Sequence, residues 1–499
     1  MTARPPTSIT VADLDLASPD GPVLSLRPAP GGPPVAAPGA VYALVRLRGR
    51  PVATVLHRLE EDDRDPAEAL RLAVRDRLTE AEGEAEAEAG AGAEAQGEAG
   101  PGPGAGAGPG AGPAAGPAVG SGAGPGAGSR PAPAPAPHAD PPPAPTAPPR
   151  TTTVIATRDR AGRLVRALDS LLAQDHPDHD VLVVDNAPRT PDTRTLVQSY
   201  GGRVRYVRED TPGLATAHNT GLRHTDAPVV AFTDDDVVAD PAWLSTLTAP
   251  FAADPFLGCT TGLILPARLG TPAQILLESH GGFAKGFTPR LYDPLRPPPA
   301  EPLFPFAAGS FGSGANMAFR ADALRAVGGF DPATGTGTAA RGGDDLYAFV
   351  AVLAAGFRLR YTPGALVWHH HRETWQDLRN QAYGYGAGLT AYLTATLVRR
   401  PGLLPALLTR LPRGLAHARA MTAPRPHTTP GTLSGHHPWP RALSRLERRG
   451  MLYGPVGYAT ARLSGSAPLS RLAALIRPAD RMRPAPLTGA LPPPPGRAR

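Results

Sequence analysis

Residues 81–150 constrain this chain more than any other stretch. An acidic Glu/Ala/Gly run passes into Gly/Ala/Pro repeats and then into Pro/Ala. Such a composition buries too little apolar surface to offset the entropy of ordering a backbone. It reads as a disordered linker with stiffer Pro-rich ends, spanning on the order of 50 Å if coil-like. The 499 residues therefore divide into parts built separately on either side of it, with Gly and Pro concentrated between them.

Before the linker, Val41–Leu56 alternates apolar and polar residues around Arg48-Gly49-Arg50-Pro51. That pattern predicts a β-hairpin with strands near Val41–Leu47 and Val52–Leu56. Asp65–Leu78 carries Ala67, Leu70, Leu72, Val74 and Leu78, with Pro66 in the first turn, and predicts a helix. Residues 1–80 are thus expected to form a small accessory α+β module. They contain no cluster of catalytic residue types.

After the linker, short β-branched runs alternate with helical patterns. Val154–Thr157, Val181–Val184, Val204–Val207 and Val229–Thr233 read as strands, and Arg163–Leu172 and Gly213–Leu222 as helices. Near-continuous apolar strands separated by helices imply βαβ crossovers and a Rossmann-like, mostly parallel α/β sheet covered by helices. Ligands of such sheets bind at the carboxyl ends of the strands. Those ends are polar here: Thr157-Arg158-Asp159-Arg160, Asp185-Asn186, and Thr233-Asp234-Asp235-Asp236. Three consecutive carboxylates repel one another unless a cation neutralises them. Carboxylates suit Mg²⁺ or Mn²⁺, which also bind diphosphate oxygens. A solvated acidic turn is the alternative for an isolated triplet.

The run of motifs continues in Gly213-Leu214-Ala215-Thr216-Ala217-His218-Asn219-Thr220-Gly221, Gly328-Gly329-Phe330-Asp331, Gly343-Asp344-Asp345-Leu346 and Val367-Trp368-His369. Taken in this order from Val154 to His369, the chain resembles the inverting family 2 glycosyltransferases of GT-A fold. The resemblance implies sugar transfer from a nucleotide-sugar donor to a hydroxyl acceptor, which could be a glycan, a lipid-linked molecule or a small molecule. It places Thr157, Arg158 and Asp185 around the nucleobase and ribose. It matches Ala217–Gly221 to the family's ARNxG stretch, so that Asn219 joins the nucleotide-sugar-binding residues and His218 stands where Arg is usual. It makes Asp234-Asp235-Asp236 the DxD motif. Asp236 would bind Mg²⁺ or Mn²⁺, Asp234 or Asp235 would face the ribose or the metal, and His369 would reach the metal or diphosphate. Counting back from Ala355-Gly356 puts Asp345 at the general base, with Asp344 as the neighbouring candidate. His370 and His371 are expected at the surface. Gly309–Asn316 reads as an acceptor-side loop.

The domains expected on this basis are a catalytic unit at 151–374, a helical extension at 375–420 and a basic, largely irregular tail at 421–499. Leu378–Leu397 and Leu403–Leu415 are helical patterns, with Gly384, Gly386 and Gly388 as weak points. Residues 399–499 hold 17 Arg against two acids, Glu447 and Asp480. This charge suggests peripheral contact with an anionic surface or acceptor. A nucleic-acid partner is not expected, because the tail lacks interleaved aromatics and any known binding module. No basic start followed by an apolar stretch opens the chain, and no run approaches the roughly 18 apolar residues of a membrane span. The expectation is a cytoplasmic protein, peripheral at most to the inner face of the membrane. Single Cys259 fits a reducing compartment and a buried small hydrophobe. Rival readings are a nucleotidyltransferase and a non-catalytic carbohydrate or membrane scaffold. The first normally needs a Lys-bearing phosphate loop, and the sole lysine is Lys285. The second would be favoured by loss of the acidic triplet or the base, and both are present.

Overall fold

In the computed structural model, residues 8–18, 20–75, 148–421, 433 and 439–464 are described. The linker expected at 81–150, save its last residues, and most of the tail expected at 421–499 lie outside them.

The N-terminal residues form a four-stranded sheet of β1 (Thr10–Leu16), β2 (Val23–Pro28), β3 (Gly39–Leu47) and β4 (Arg50–Leu59), ordered β2-β1-β3-β4. The hairpin expected at Arg48-Gly49 is β3–β4. Arg48 and Gly49 both have positive φ, 50° and 82°, as a two-residue turn of matching twist requires. β1 and β2 escaped the sequence reading; β1 pairs in parallel with β3, and no local turn signal announces such a pairing. Helix α1 (66–75) covers one face through Leu70 and Val74. The opposite face is apolar too. Ile9, Val11, Tyr42 and Leu44 pack with Leu263, Leu265, Leu366 and Trp368 of the second sheet. Arg46 adds an ion pair to Asp13 at 2.8 Å and another to Asp240 at 2.6 Å. The module is therefore docked, a contact that an accessory unit on a linker did not suggest.

The second sheet is mixed and rich in parallel pairs. Strand β5 (Thr151–Thr157) lies between β6 (His179–Asn186) and β8 (Val229–Asp234), and β7 (Val204–Glu209) pairs with β6. All three pairings are parallel. Helices α2 (Ala161–Leu172), α3 (Asp192–Ser199) and α4 (Leu214–Arg223) make the crossovers. Beyond β8 come β9 (Val237–Ala239), α5 (Trp243–Thr248), α6 (Pro250–Ala253), β10 (Leu257–Pro266), α7 (Pro272–Ser279), β11 (Arg290–Tyr292), β12 (Asn316–Arg320), α8 (Ala321–Ala326), α9 (Asp344–Ala354) and β13 (Arg358–His369). The order is β11-β13-β10-β12-β8-β5-β6-β7, with β9 on β13. β12 joins β8 and β10 antiparallel to both, which makes this half of the sheet mixed. β10 is buried along its whole length, Cys259 included, so it shows no period-two alternation.

Buried Asn316 closes the Gly309–Asn316 loop. Its Nδ2 donates to Leu263 O and Ala365 O at 2.9 and 2.8 Å, and its Oδ1 accepts from Trp243 Nε1 at 2.8 Å. One amide thereby satisfies the carbonyls freed where the β10–β13 register shifts.

Helix α10 (Trp375–Arg399) is followed by α11 (Leu404–Met421) and α12 (Arg441–Ser464). The last of these stands in a stretch expected to be irregular. Its buried stripe is Leu443, Ser444, Gly450, Gly454, Gly457 and Tyr458, small residues that carry little hydrophobic signal. Gly386 and Gly388 of α10 are contact points and not weak ones. A β-carbon on Gly386 would sit 1.9 Å from Glu447 O, and one on Gly450 would sit 2.2 Å from Tyr383 O. Gly388 likewise presses on Gly342 and Gly343 at the start of α9. Backbone thus meets backbone, and the helix gains packing that outweighs the roughly 1 kcal/mol a glycine costs inside it.

Candidate active site

Parallel pairing puts the polar strand ends side by side. Thr157 is opposite Asp185, and Ala156 is opposite Asp234. Asp185 is buried; its Oδ2 accepts from Tyr206 Oη at 2.9 Å, and its Oδ1 has no hydrogen-bond partner among the described residues. Burial raises the Asp185 carboxyl above its usual range. Neighbouring Asn186 shapes the next loop, donating to Thr211 O at 2.7 Å and accepting from Gly213 N at 2.9 Å. Arg158 is largely exposed beside Asp159.

The three acids after β8 have separate surroundings. Asp235 turns away: its Oδ2 accepts from Thr157 Oγ1 at 2.7 Å and its Oδ1 from Arg160 at 3.1 Å. Asp236 lies 3.3 Å from His369 Nε2, 3.5 Å from Arg163 and 3.7 Å from Arg372. Strand β9 brings His369 there by pairing antiparallel with the end of β13, and His370 N donates to Asp236 O at 2.9 Å. Asp234, Asp236 and His369 each offer a ligand atom, and these atoms lie within 4.8 Å of one another. Burial raises Asp236, but His369, Arg372 and Arg160 outweigh it and hold the carboxyl well below the usual range. Asp234 is pushed up to about 7, first by desolvation and then by Asp236. Two carboxylates and one imidazole fit Mg²⁺ or Mn²⁺, and a cation there would offset the repulsion between Asp234 and Asp236.

Asp344 and Asp345 open α9 after Gly343, whose φ is 87°. A helix N-terminus favours negative charge. Asp345 Oδ1 accepts from Leu346 N and its Oδ2 from Gly314 N, both at 2.8 Å. The second bond ties it to the Gly309–Asn316 loop. Asp344 is only 4% exposed and points inward, its Oδ2 3.4 Å from His218 Nδ1. Asp345 is half-buried. Desolvation and then Asp344 push its carboxyl up to about 6, against the two N–H groups.

Two expectations need correction. Asn219 does not face the strand ends: its Nδ2 donates to Phe330 O at 2.8 Å and its Oδ1 accepts from Phe330 N at 2.9 Å. Its amide is spent on clamping α4 to the Gly328–Phe330 turn. His371 is not at the surface; it is 3% exposed, bonded to His369 and Glu278. His218, where Arg was looked for, sits between Phe232 and Phe330 with ring centroids 4.9 Å away in each case. The sequence reading missed Arg160, Arg163, Arg372 and Glu278. Arg160 and Arg163 lie just past the first strand end, a position that could have flagged them.

Residues 152–328 match the family described as Glycosyl transferase family 2, and residues 304–431 match the one described as Glycosyl transferase family group 2. Both matched stretches are of the glycosyltransferase family 2 type, in the part of the chain where the sequence resemblance lies. It is similar to a pre-mycofactocin glycosyltransferase of Mycobacterium tuberculosis, 32% identical over 263 residues covering 51% of this chain and 51% of that protein. It is also similar to a validoxylamine A glucosyltransferase of Streptomyces hygroscopicus, 37% identical over 124 residues covering 23% and 29%. The chain thus spans about half the length of the first of these relatives. Among solved structures, it is similar to a mannosyltransferase from Pyrobaculum calidifontis in complex with GDP-Man and Mn²⁺. That likeness has 21% identity and a TM-score of 0.39, and it covers 67% of this chain and 81% of the other.

Proposed function

We propose that the unit at 151–374, buttressed by α10 and α12, transfers a sugar from a nucleotide-sugar donor to a hydroxyl acceptor with inversion. The observation carrying this reading is the Asp234, Asp236 and His369 cluster, set beside Thr157 and Asp185 at one edge of the sheet. The free Asp185 Oδ1 accepts an N–H of the nucleobase, and Arg158 and Thr157 line the same pocket. Asp235 acts through Thr157 and Arg160, fixing the strand end. Asp234, Asp236 and His369 would hold Mg²⁺ or Mn²⁺, which would supply positive charge against the nucleoside diphosphate. Asp345 takes the proton of the acceptor hydroxyl as its oxygen bonds to the anomeric carbon and the bond from that carbon to the diphosphate breaks. The acceptor is a glycan, a lipid-linked molecule or a small molecule. The basic residues after 399 give contact with an anionic membrane surface at its cytoplasmic face; no helix among the described residues is long and apolar enough to cross a membrane.

The test is a binding and hydrolysis screen of nucleotide sugars with Mn²⁺ and Mg²⁺, run on wild type and Asp236→Ala. Transfer should vanish in the variant and nucleotide binding should weaken. Nucleotide binding in Asp236→Ala equal to wild type, with and without EDTA, removes the metal assignment.

A further inference from the structure

Only one nitrogen of His369 faces the acids. Nε2 lies 3.3 Å from Asp236 Oδ1, whereas Nδ1 lies 3.0 Å from His371 Nδ1. His371 Nε2 in turn lies 3.1 Å from Glu278 Oε2. The protons in this row follow from its far end. A carboxylate only accepts, so His371 Nε2 carries hydrogen and donates to Glu278. A neutral His371 then presents a bare Nδ1, which accepts from the Nδ1–H of His369. That keeps the Nδ1 hydrogen of His369 in this row, so that Nε2, which in the absence of a cation holds a hydrogen toward Asp236, is the nitrogen whose lone pair a cation would take. A bare imidazole nitrogen is the form that ligates a metal, and the hydrogen bond at the other nitrogen selects it.

The enclosure of this row is built by one short helix and the turn after it. Thr271 and Gln274 form a capping box that starts α7. Gln274 and Glu278 are four residues apart and share a face. Gln274 Nε2 donates to His371 O at 3.1 Å while Glu278 takes the ring of the same residue. Gly282 gives the carboxylate room; a β-carbon there would sit 2.4 Å from Glu278 Oε2. The Phe283 ring lies against both imidazoles, 5.2 Å from His369 and 5.5 Å from His371. Glu278 and His371 are both buried, so water does not compete for these bonds.

We infer that Glu278 is a positioning residue that acts through His371 to keep the proton of His369 on Nδ1, so that Nε2 is the nitrogen offered to a divalent cation at the Asp234–Asp236 pair. This rests on the proposal that the cluster holds a cation. The first measurement is ¹⁵N-histidine NMR of the full wild-type chain with saturating Mg²⁺ at mildly alkaline pH, with His369 assigned by His369→Gln. His369 should carry its proton on Nδ1 and His371 on Nε2; a proton on His369 Nε2 overturns the inference, whatever any variant does. The second is titration with Mn²⁺ alone of wild type and Glu278→Gln. An amide can donate or accept and so does not dictate the His371 proton. Mn²⁺ affinity should fall roughly 10–100-fold, with both tautomers of His369 populated. Equal affinity and unchanged tautomers overturn the positioning role and leave the cation site standing. Absence of Mn²⁺ uptake by wild type overturns both.

Discussion

At the end of β8, three consecutive carboxylates share three arginines and a histidine. At the start of α9, Asp345 accepts two backbone N–H groups and Asp344 faces His218. The first arrangement supplies fixed positive charge, and Asp236 is held strongly ionised by it. The second gives Asp345 backbone dipoles and no arginine partner, and Asp345 rises to about 6. Electrostatics thus separates Asp236 from Asp345, although Asp234 of the first group also rises, to about 7. A group surrounded by cations suits metal and phosphate, whereas a desolvated carboxylate near neutrality suits taking a proton.

The sharpest way to break this division is Asp345→Asn, which keeps shape and removes the proton acceptor. Turnover should fall by roughly 10²–10⁴-fold, the usual contribution of a positioned general base. Donor affinity, measured by calorimetry, should stay near wild type, since the loss belongs to the transition state. Asp344→Asn should cost much less, because Asp344 faces His218 and the interior. If Asp344→Asn is the dead variant, the base is Asp344. If both variants keep full activity, base-assisted inversion is wrong.

A smaller effect follows from pH. A raised carboxyl loses its base form earlier on acidification than an ordinary one does. With donor saturating, turnover should fall about tenfold per pH unit below the Asp345 pKa of about 6. Asp344→Asn removes a like charge that helps raise Asp345, so the midpoint should move to lower pH. A wild-type midpoint near the ordinary carboxylate value of about 4 would mean that Asp345 is solvated during the reaction.

What could be read from the residues follows the same physics. The parallel strands and their polar ends were legible because β-branched runs and strand-end acids are local signals. The row from His369 to Glu278 was not, because Glu278 and His371 are 93 residues apart and each alone is an ordinary polar residue. Asn219 misled for the converse reason. Its motif position is local, but its partner Phe330 is 111 residues away. Helix α12 stayed hidden because its contact stripe is mostly glycine, which signals a close approach only once the facing helix is known.

A third set of carboxylates is paired by an arginine away from the site. Asp13 and Asp240 are bridged by Arg46, which is 9% exposed at its side chain and joins the N-terminal sheet to the second one. Burial raises Asp13 in spite of Arg46, so the pair depends on that cation. Arg46→Met keeps most of the apolar stem and leaves two acids facing each other without a counter-charge. The cost should be roughly 2–4 kcal/mol, at the lower side of the range for breaking a buried pair because Asp13 keeps some contact with water. Denaturant unfolding of the full chain reads this directly, and the transfer rate should stay near wild type because neither acid belongs to the site. Stability equal to wild type would mean that the apolar face of Ile9, Val11, Tyr42 and Leu44 holds the module without the triad. A fall in turnover at unchanged stability would break the comparison itself. It would connect Asp240, just past β9, to the strand pairing that delivers His369 to Asp236.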